Sequence, residues 1–218
     1  MMDWTLAVDA PRAGGLWWLF TQSFDLFTVV LLAFSIVGMA WVVRCLVEVR
    51  ASAIVPVRAT KVIDEASRAG NWDELRAFVS KDGSMSSLIV RAALFAPLGT
   101  AESRRELAEL TASEESARWF RKIEPLNVIG NLGPLVGLAG TVWGMVLAFT
   151  TLGEQGGQSG PTDLSLGISK ALFHTLLGLC VAIPCLLVYG LYRGIVDRHC
   201  TRATIVAAGA IERVPERV

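Results

Sequence analysis

Three stretches without a charged side chain constrain this chain more than any other feature: residues 26–43, 132–152 and 171–192, of 18, 21 and 22 residues. A hydrocarbon core about 30 Å thick needs about 20 helical residues, so each run is long enough to span a bilayer. Residues 26–43 lack the basic lead-in and small-residue cleavage site of a secretory leader, and Arg44, Glu48 and Arg50 follow as a stop, which predicts a retained helix. Composition agrees: 53% of the residues are hydrophobic and the mean hydropathy is +0.50, too apolar for an ordinary soluble domain.

Formal net charge is zero, which gives no global field toward nucleic acid. The distribution of basic residues is informative. Residues 44–131 hold thirteen Lys and Arg and residues 193–218 hold five, against one each in 1–25 and 153–170. By the positive-inside rule the long loop and the C-terminal tail are cytoplasmic. The predicted layout is a periplasmic N-terminus (1–25), spans at 26–43, 132–152 and 171–192, a helical cytoplasmic domain (44–131), a short periplasmic loop (153–170) and a cytoplasmic tail (193–218). Trp17 and Trp18 fit an outer interfacial belt and Trp41, Tyr189 and Tyr192 an inner one, with packing in the bundle an alternative for Trp41.

Within 44–131 the pattern predicts helices over 57–69, 73–79 and 87–96, separated by Gly70-Asn71, by Lys81-Asp82-Gly83, and stopped by Pro97 and Gly99. From Thr100, an N-cap candidate, a helical run reaches Glu124 with Leu107, Leu110, Ala117 and Phe120 as its apolar stripe; Pro125 is expected to interrupt or kink it. Cys45, Cys180, Cys185 and Cys200 form no ligand spacing and read as reduced packing residues. No soluble-enzyme signature and no metal-ligand set is present in the sequence, and His199 beside Asp197 and Cys200 reads as a solvated tail cluster.

The second run carries Gly130, Gly133, Gly137, Gly140 and Gly144, at steps of three, four, three and four. A helical glycine costs about 1 kcal/mol relative to alanine, so five on one face predict close approach of another helix. The third run offers Ala171, Thr175, Gly178 and Ala182 at similar steps, with Pro184 expected to bend it. Thr141 and Thr175 lie on or beside these faces. Two readings are open for each hydroxyl: a back-bond to its own i−4 carbonyl, or a polar-lined contact zone. No Asp or Glu lies inside any of the three runs, so an ion site at membrane depth requires a carboxylate from another chain. Lys170 and His174 are one turn apart at the outer end of the third run. The lysine reads as a snorkelling boundary residue, and the histidine as either a packed neutral ring or a pH-sensitive relay.

Residues 131–145 (NLGPLVGLAGTVWGM) with Phe149, and residues 167–184 (GISKALFHTLLGLCVAIP), resemble the second- and third-span signatures of the ExbB/TolQ branch of the MotA/TolQ/ExbB family. The match is dense over residues 126–195; the remainder agrees in layout only. The resemblance implies an all-α membrane protein with three transmembrane helices extended by a helical cytoplasmic domain, assembling as a homo-oligomeric, pentameric ring. It implies an ion-driven motor rather than an enzyme, without a cofactor, using protons or Na⁺ as coupling ion. Its partners would be a single-span ExbD/TolR-type protein that supplies an Asp and a TonB- or TolA-type protein that carries the force. By position, Thr141 and Thr175 correspond to the family's ion-path threonines. Lys170 stands where the family commonly has Glu, and His174 where it usually has a small residue. A cation at 170 would repel the coupling ion, and this departure supports an alternative, a non-conducting scaffold that clusters a single-span partner.

Overall fold

A computed structural model of the chain describes residues 21, 23–97, 100–154 and 161–215, apart from the side chains of 161–163. Trp17, Trp18, Gly99 and residues 155–160 of the expected outer loop lie outside the described residues. Among the described residues there is no strand. The helices are α1 (Leu26–Glu48), α2 (Ala51–Ile54), α3 (Val57–Ala69), α4 (Trp72–Lys81), α5 (Met85–Leu94), α6 (Ala101–Glu154) and α7 (Pro161–Ile211). Three of them, α1, α6 and α7, are long and apolar enough to cross a membrane. The described residues fall into two compact units, within residues 1–39 with 128–186 and within residues 40–127 with 187–218.

The second unit contains the short helices. Gly70, at φ 69°, ends α3 in the left-handed conformation that glycine adopts without a Cβ penalty. Asn71 then caps α4 by accepting the Glu74 N–H, and its amide donates to the Glu74 carboxylate at 2.6 Å. α5 begins at Met85, earlier than the expected 87, because the Ser84 hydroxyl accepts the Ser87 N–H and so sets the cap upstream. Burial pushes the Asp82 carboxyl up, but hydrogen bonds from the Ser84 and Ser87 hydroxyls and the Ser84 N–H outweigh it and hold Asp82 below its ordinary value. Ile54, Ile63, Leu75, Val79, Ile89 and Val90 form the buried core of these helices.

Two expectations for α6 need correction. Its buried residues over 104–112 are Arg104, Ala108 and Ala112, whereas Leu110 is 61% exposed, Ala117 is exposed, and Leu107 and Phe120 are only half-buried. Small side chains allow close approach, and α7 carries its own buried stripe, Val196, Cys200, Ala203, Ala207 and Ala210, at steps of four and three. The buried Arg104 guanidinium donates to the Pro215 carbonyl at 2.9 Å. The helix also runs unbroken through Pro125. Proline removes one hydrogen bond from the ladder, but Ile123 and Leu126 on either side are fully buried, and packing holds the turn that local propensity disfavours. α7 likewise continues through Pro184. The tail is helical to Ile211, where Arg213 donates to Asp64 at 3.2 Å and to Ser67 at 3.0 Å on α3. Trp41 is half-buried and donates its indole N–H to the Lys122 carbonyl, with the Arg44 guanidinium over its ring.

In the first unit, α1, the 128–154 part of α6 and the 161–186 part of α7 pack around Leu31, Phe173, Val181, Ala182 and Cys185. All four cysteines are free thiols; Cys45, Cys185 and Cys200 are buried and Cys180 is exposed.

Candidate ion-path site

The site rests on a seam between α6 and α7 that only glycine permits. A Cβ on Gly137 would lie 2.7 Å from the His174 carbonyl oxygen and 3.1 Å from the Thr175 Cα; on Gly178 it would lie 2.6 Å from the Gly133 oxygen. On Gly140 it would lie 2.9 Å from the His174 side chain, and on Gly144 2.9 Å from the Ala171 Cβ. Gly133, Gly137, Gly140 and Gly144 of α6 therefore face Gly178, Thr175, His174 and Ala171 of α7 at near-backbone distance. Pro184 is half-buried, between Ala182 and Leu186, which lie against Gly133 and Gly130.

This closeness brings the two threonines together. Thr141 Oγ1 is 2.5 Å from Thr175 Oγ1 and 3.0 Å from both the Gly137 and Ala171 carbonyl oxygens. Both sequence readings hold at once: Thr141 back-bonds its i−4 carbonyl and also bridges to α7. The carbonyls only accept, so the two hydroxyl protons are shared among the Gly137 and Ala171 carbonyls and the contact between the hydroxyls themselves; Thr175 Oγ1 also lies 3.5 Å from the Gly137 carbonyl oxygen. Thr141 is buried and Thr175 half-buried. The pair can offer oxygen lone pairs to a cation or a water, but neutral hydroxyls do not store charge at working pH.

His174 sits next in sequence to Thr175 and is 3% exposed. Its Nε2 lies 3.0 Å from Asp25 Oδ1 and 3.1 Å from Thr28 Oγ1. Asp25 precedes α1 and caps it, accepting the Thr28 N–H at 3.0 Å. The Phe27 ring meets the imidazole edge-on at 6.3 Å between centroids. Lys170, half-buried one turn earlier on α7, shares with Asp25 and His174 a cavity of about 410 Å³ whose lining also includes Ser23, Thr151 and Ala171.

Sequence reasoning named Thr141, Thr175, Lys170 and His174; Thr141 touches Thr175, and Lys170 and His174 line one cavity. It missed Asp25 and Thr28, and with them a carboxylate of this same chain. In the sequence Asp25 only borders the uncharged run 26–43. Its spacing to Thr28 is that of a helix cap and could have flagged the helix start, but nothing local points to a partner 149 residues away.

Comparison with known proteins follows the same segments. The profile of the MotA/TolQ/ExbB proton channel family matches residues 82–204. An ExbB-like biopolymer transport protein of Synechocystis sp. is 42% identical over 90 residues, 40% of this chain and 35% of that protein. The biopolymer transport protein ExbB of Helicobacter pylori is 47% identical over 64 residues, 29% of this chain and 43% of its own length. The chain thus spans less than half the length of these relatives. A solved structure of C. jejuni MotAB shares the fold, with a TM-score of 0.53 at 18% identity, covering 90% of this chain and 82% of that one. With the matched profile spanning more than half of the sequence, the chain belongs to the MotA/TolQ/ExbB proton channel family, on its ExbB/TolQ branch.

Proposed function

We propose that this protein is the ring-forming subunit of an ion-driven motor in the bacterial inner membrane. It works with a single-span ExbD/TolR-type partner to energise TonB- or TolA-type transport or envelope processes. The observation that carries the reading is the hydroxyl contact between Thr141 and Thr175 across the glycine seam, beside a cavity that holds Asp25, Lys170 and His174. Hydroxyls and a titratable cluster where three apolar helices meet are what a cation path through a bilayer needs, since polar groups at that depth are costly unless they serve a pathway. In this reading protons, or Na⁺, pass the threonine pair toward an aspartate on the partner's helix. Residues 1–25 and 153–170 face the periplasm, and 44–131 and 193–218 face the cytoplasm, with the subunit as a homopentamer. One charge crossing 100 mV releases about 2.3 kcal/mol, enough to drive a conformational step when several are coupled.

A second reading, a scaffold that gathers a single-span partner without conducting, is favoured by Lys170, a cation in the same cavity. The two separate by mutation. Thr175→Ala and Thr141→Ala are expected to abolish energy-dependent uptake or envelope function, while assembly with the co-purifying single-span partner survives. Full function in both variants would remove the threonine path and leave the scaffold.

A further inference from the structure

A buried imidazole is an expensive way to fill space at position 174. The side chain is 3% exposed, and its Nδ1 is buried with no hydrogen-bond partner among the described residues. A leucine would occupy similar room without that loss. What the histidine adds is one directed N–H. Nε2 lies 3.0 Å from Asp25 Oδ1, a carboxylate oxygen that also accepts the Thr28 N–H at the start of α1. Thr28 gives its hydroxyl proton to the Ser23 carbonyl at 2.5 Å and so meets Nε2 with a lone pair, at 3.1 Å. Nε2–H is therefore shared between two acceptors of α1, and these bonds tie a ring carried by α7 to the first helix.

The other side of the ring is set by α6. A Cβ on Gly140 would lie 2.9 Å from the His174 Cβ and Cγ and 3.2 Å from its Cδ2, so the ring rests directly on the α6 backbone. The His174 carbonyl and the Thr175 Cα lie against Gly137 in the same way. Successive residues project about 100° apart around a helix, so the direction in which Thr175 points follows from where His174 is held. A rotation of α7 that lifts the ring from Gly140 also draws Thr175 Oγ1 out of its 2.5 Å contact with Thr141 Oγ1.

We propose that Asp25, Thr28 and His174 form a positioning node, through which α1 sets the rotation of α7 that brings Thr175 against Thr141. His174 is the positioning residue, acting through its neighbour in sequence, and Asp25 and Thr28 govern the threonine contact without touching it. The bearing of this node on ion flow rests on the motor reading, whereas the positioning itself does not.

The test is oxidative cross-linking of Thr141→Cys with Thr175→Cys in membranes holding the full chain, with the four native cysteines changed to alanine. Disulfide geometry is strict, so the rate reports how well the two positions face each other. Fast cross-linking is expected when residues 25 and 174 are unchanged, and severalfold slower cross-linking with His174→Leu. His174→Gln, whose amide N–H can reach the same two acceptors, is expected to restore the rate. Asp25→Ala is expected to slow it, and Asp25→Asn, which keeps an oxygen toward Nε2–H and the Thr28 N–H, to leave it unchanged. A ring that only fills space would let the leucine variant cross-link at full rate and would not separate Asp25→Ala from Asp25→Asn; either result overturns the proposal. So does a pair that fails to cross-link with residues 25 and 174 intact, because the contact to be positioned would not exist. If His174→Leu does not fold, the two Asp25 variants decide the matter alone. Proton flux in His174→Leu with both threonines present separates the two readings: slowed cross-linking with undiminished flux would keep the positioning node and remove the threonine path from the motor.

Discussion

At the scale of single residues, backbone proximity decides what can be changed. Gly137 sits against the His174 carbonyl and the Thr175 Cα, atoms that cannot swing aside, whereas Gly190 has open space around its missing Cβ. Gly137→Ala is therefore expected to separate α6 from α7, part the Thr141–Thr175 contact and lower stability by about 1–3 kcal/mol. Gly190→Ala is expected to leave stability level or slightly raised, from helix propensity alone. Thermal unfolding of the two variants in detergent makes the comparison, and equal losses would mean that the seam is not close-packed. Gly130 is a softer case, because its added Cβ would meet the side chain of Leu186, which can rotate.

At the scale of elements, the end of α7 is tied to α3 through Asp64. Hydrogen bonds from Arg68, then charge from Arg68 and Arg213, hold this exposed carboxyl below its ordinary value. A depressed carboxylate contributes stability above about pH 4, the unfolded value, and loses it as pH falls through the lower folded value. Asp64→Asn should thus lower the unfolding midpoint slightly at pH 7 and progressively less as pH falls below about 4; a difference that persisted undiminished in acid would refute this electrostatic account. The elements themselves were unevenly legible in the sequence. Run length and glycine spacing exposed the three long helices and the α6–α7 seam, because bilayer thickness and the helical period leave few alternatives. The packing stripe over 104–112 is not legible as one because it is built on Ala108 and Ala112 rather than on large apolar side chains. Pro125 does not interrupt the helix; local propensity does not register that Ile123 and Leu126 are buried. The Asp25–His174 pair joins the ends of different helices, a relation no local pattern contains.

For the molecule as a whole, the unit containing residues 128–186 leaves Leu135, Leu138, Val142, Trp143, Val146 and Phe149 exposed along α6. In water such a surface would aggregate; in a bilayer it suits lipid tails or neighbouring helices. In the proposed motor, ring formation around a single-span partner would cover part of it and bring the partner's carboxylate to the Thr141–Thr175 pair. The central claim is that the threonine path, completed by that carboxylate, conducts the coupling ion. The most direct measurement is proton flux under an imposed potential, with liposomes holding this subunit and its co-purified single-span partner. Flux is expected from the intact complex, and at least a tenfold loss, about 1.4 kcal/mol in the barrier, when the partner's membrane aspartate is changed to Asn or Thr175 to Ala. Intact complexes that pass no protons or Na⁺ above empty liposomes, or conduct equally well in both variants, would contradict the account.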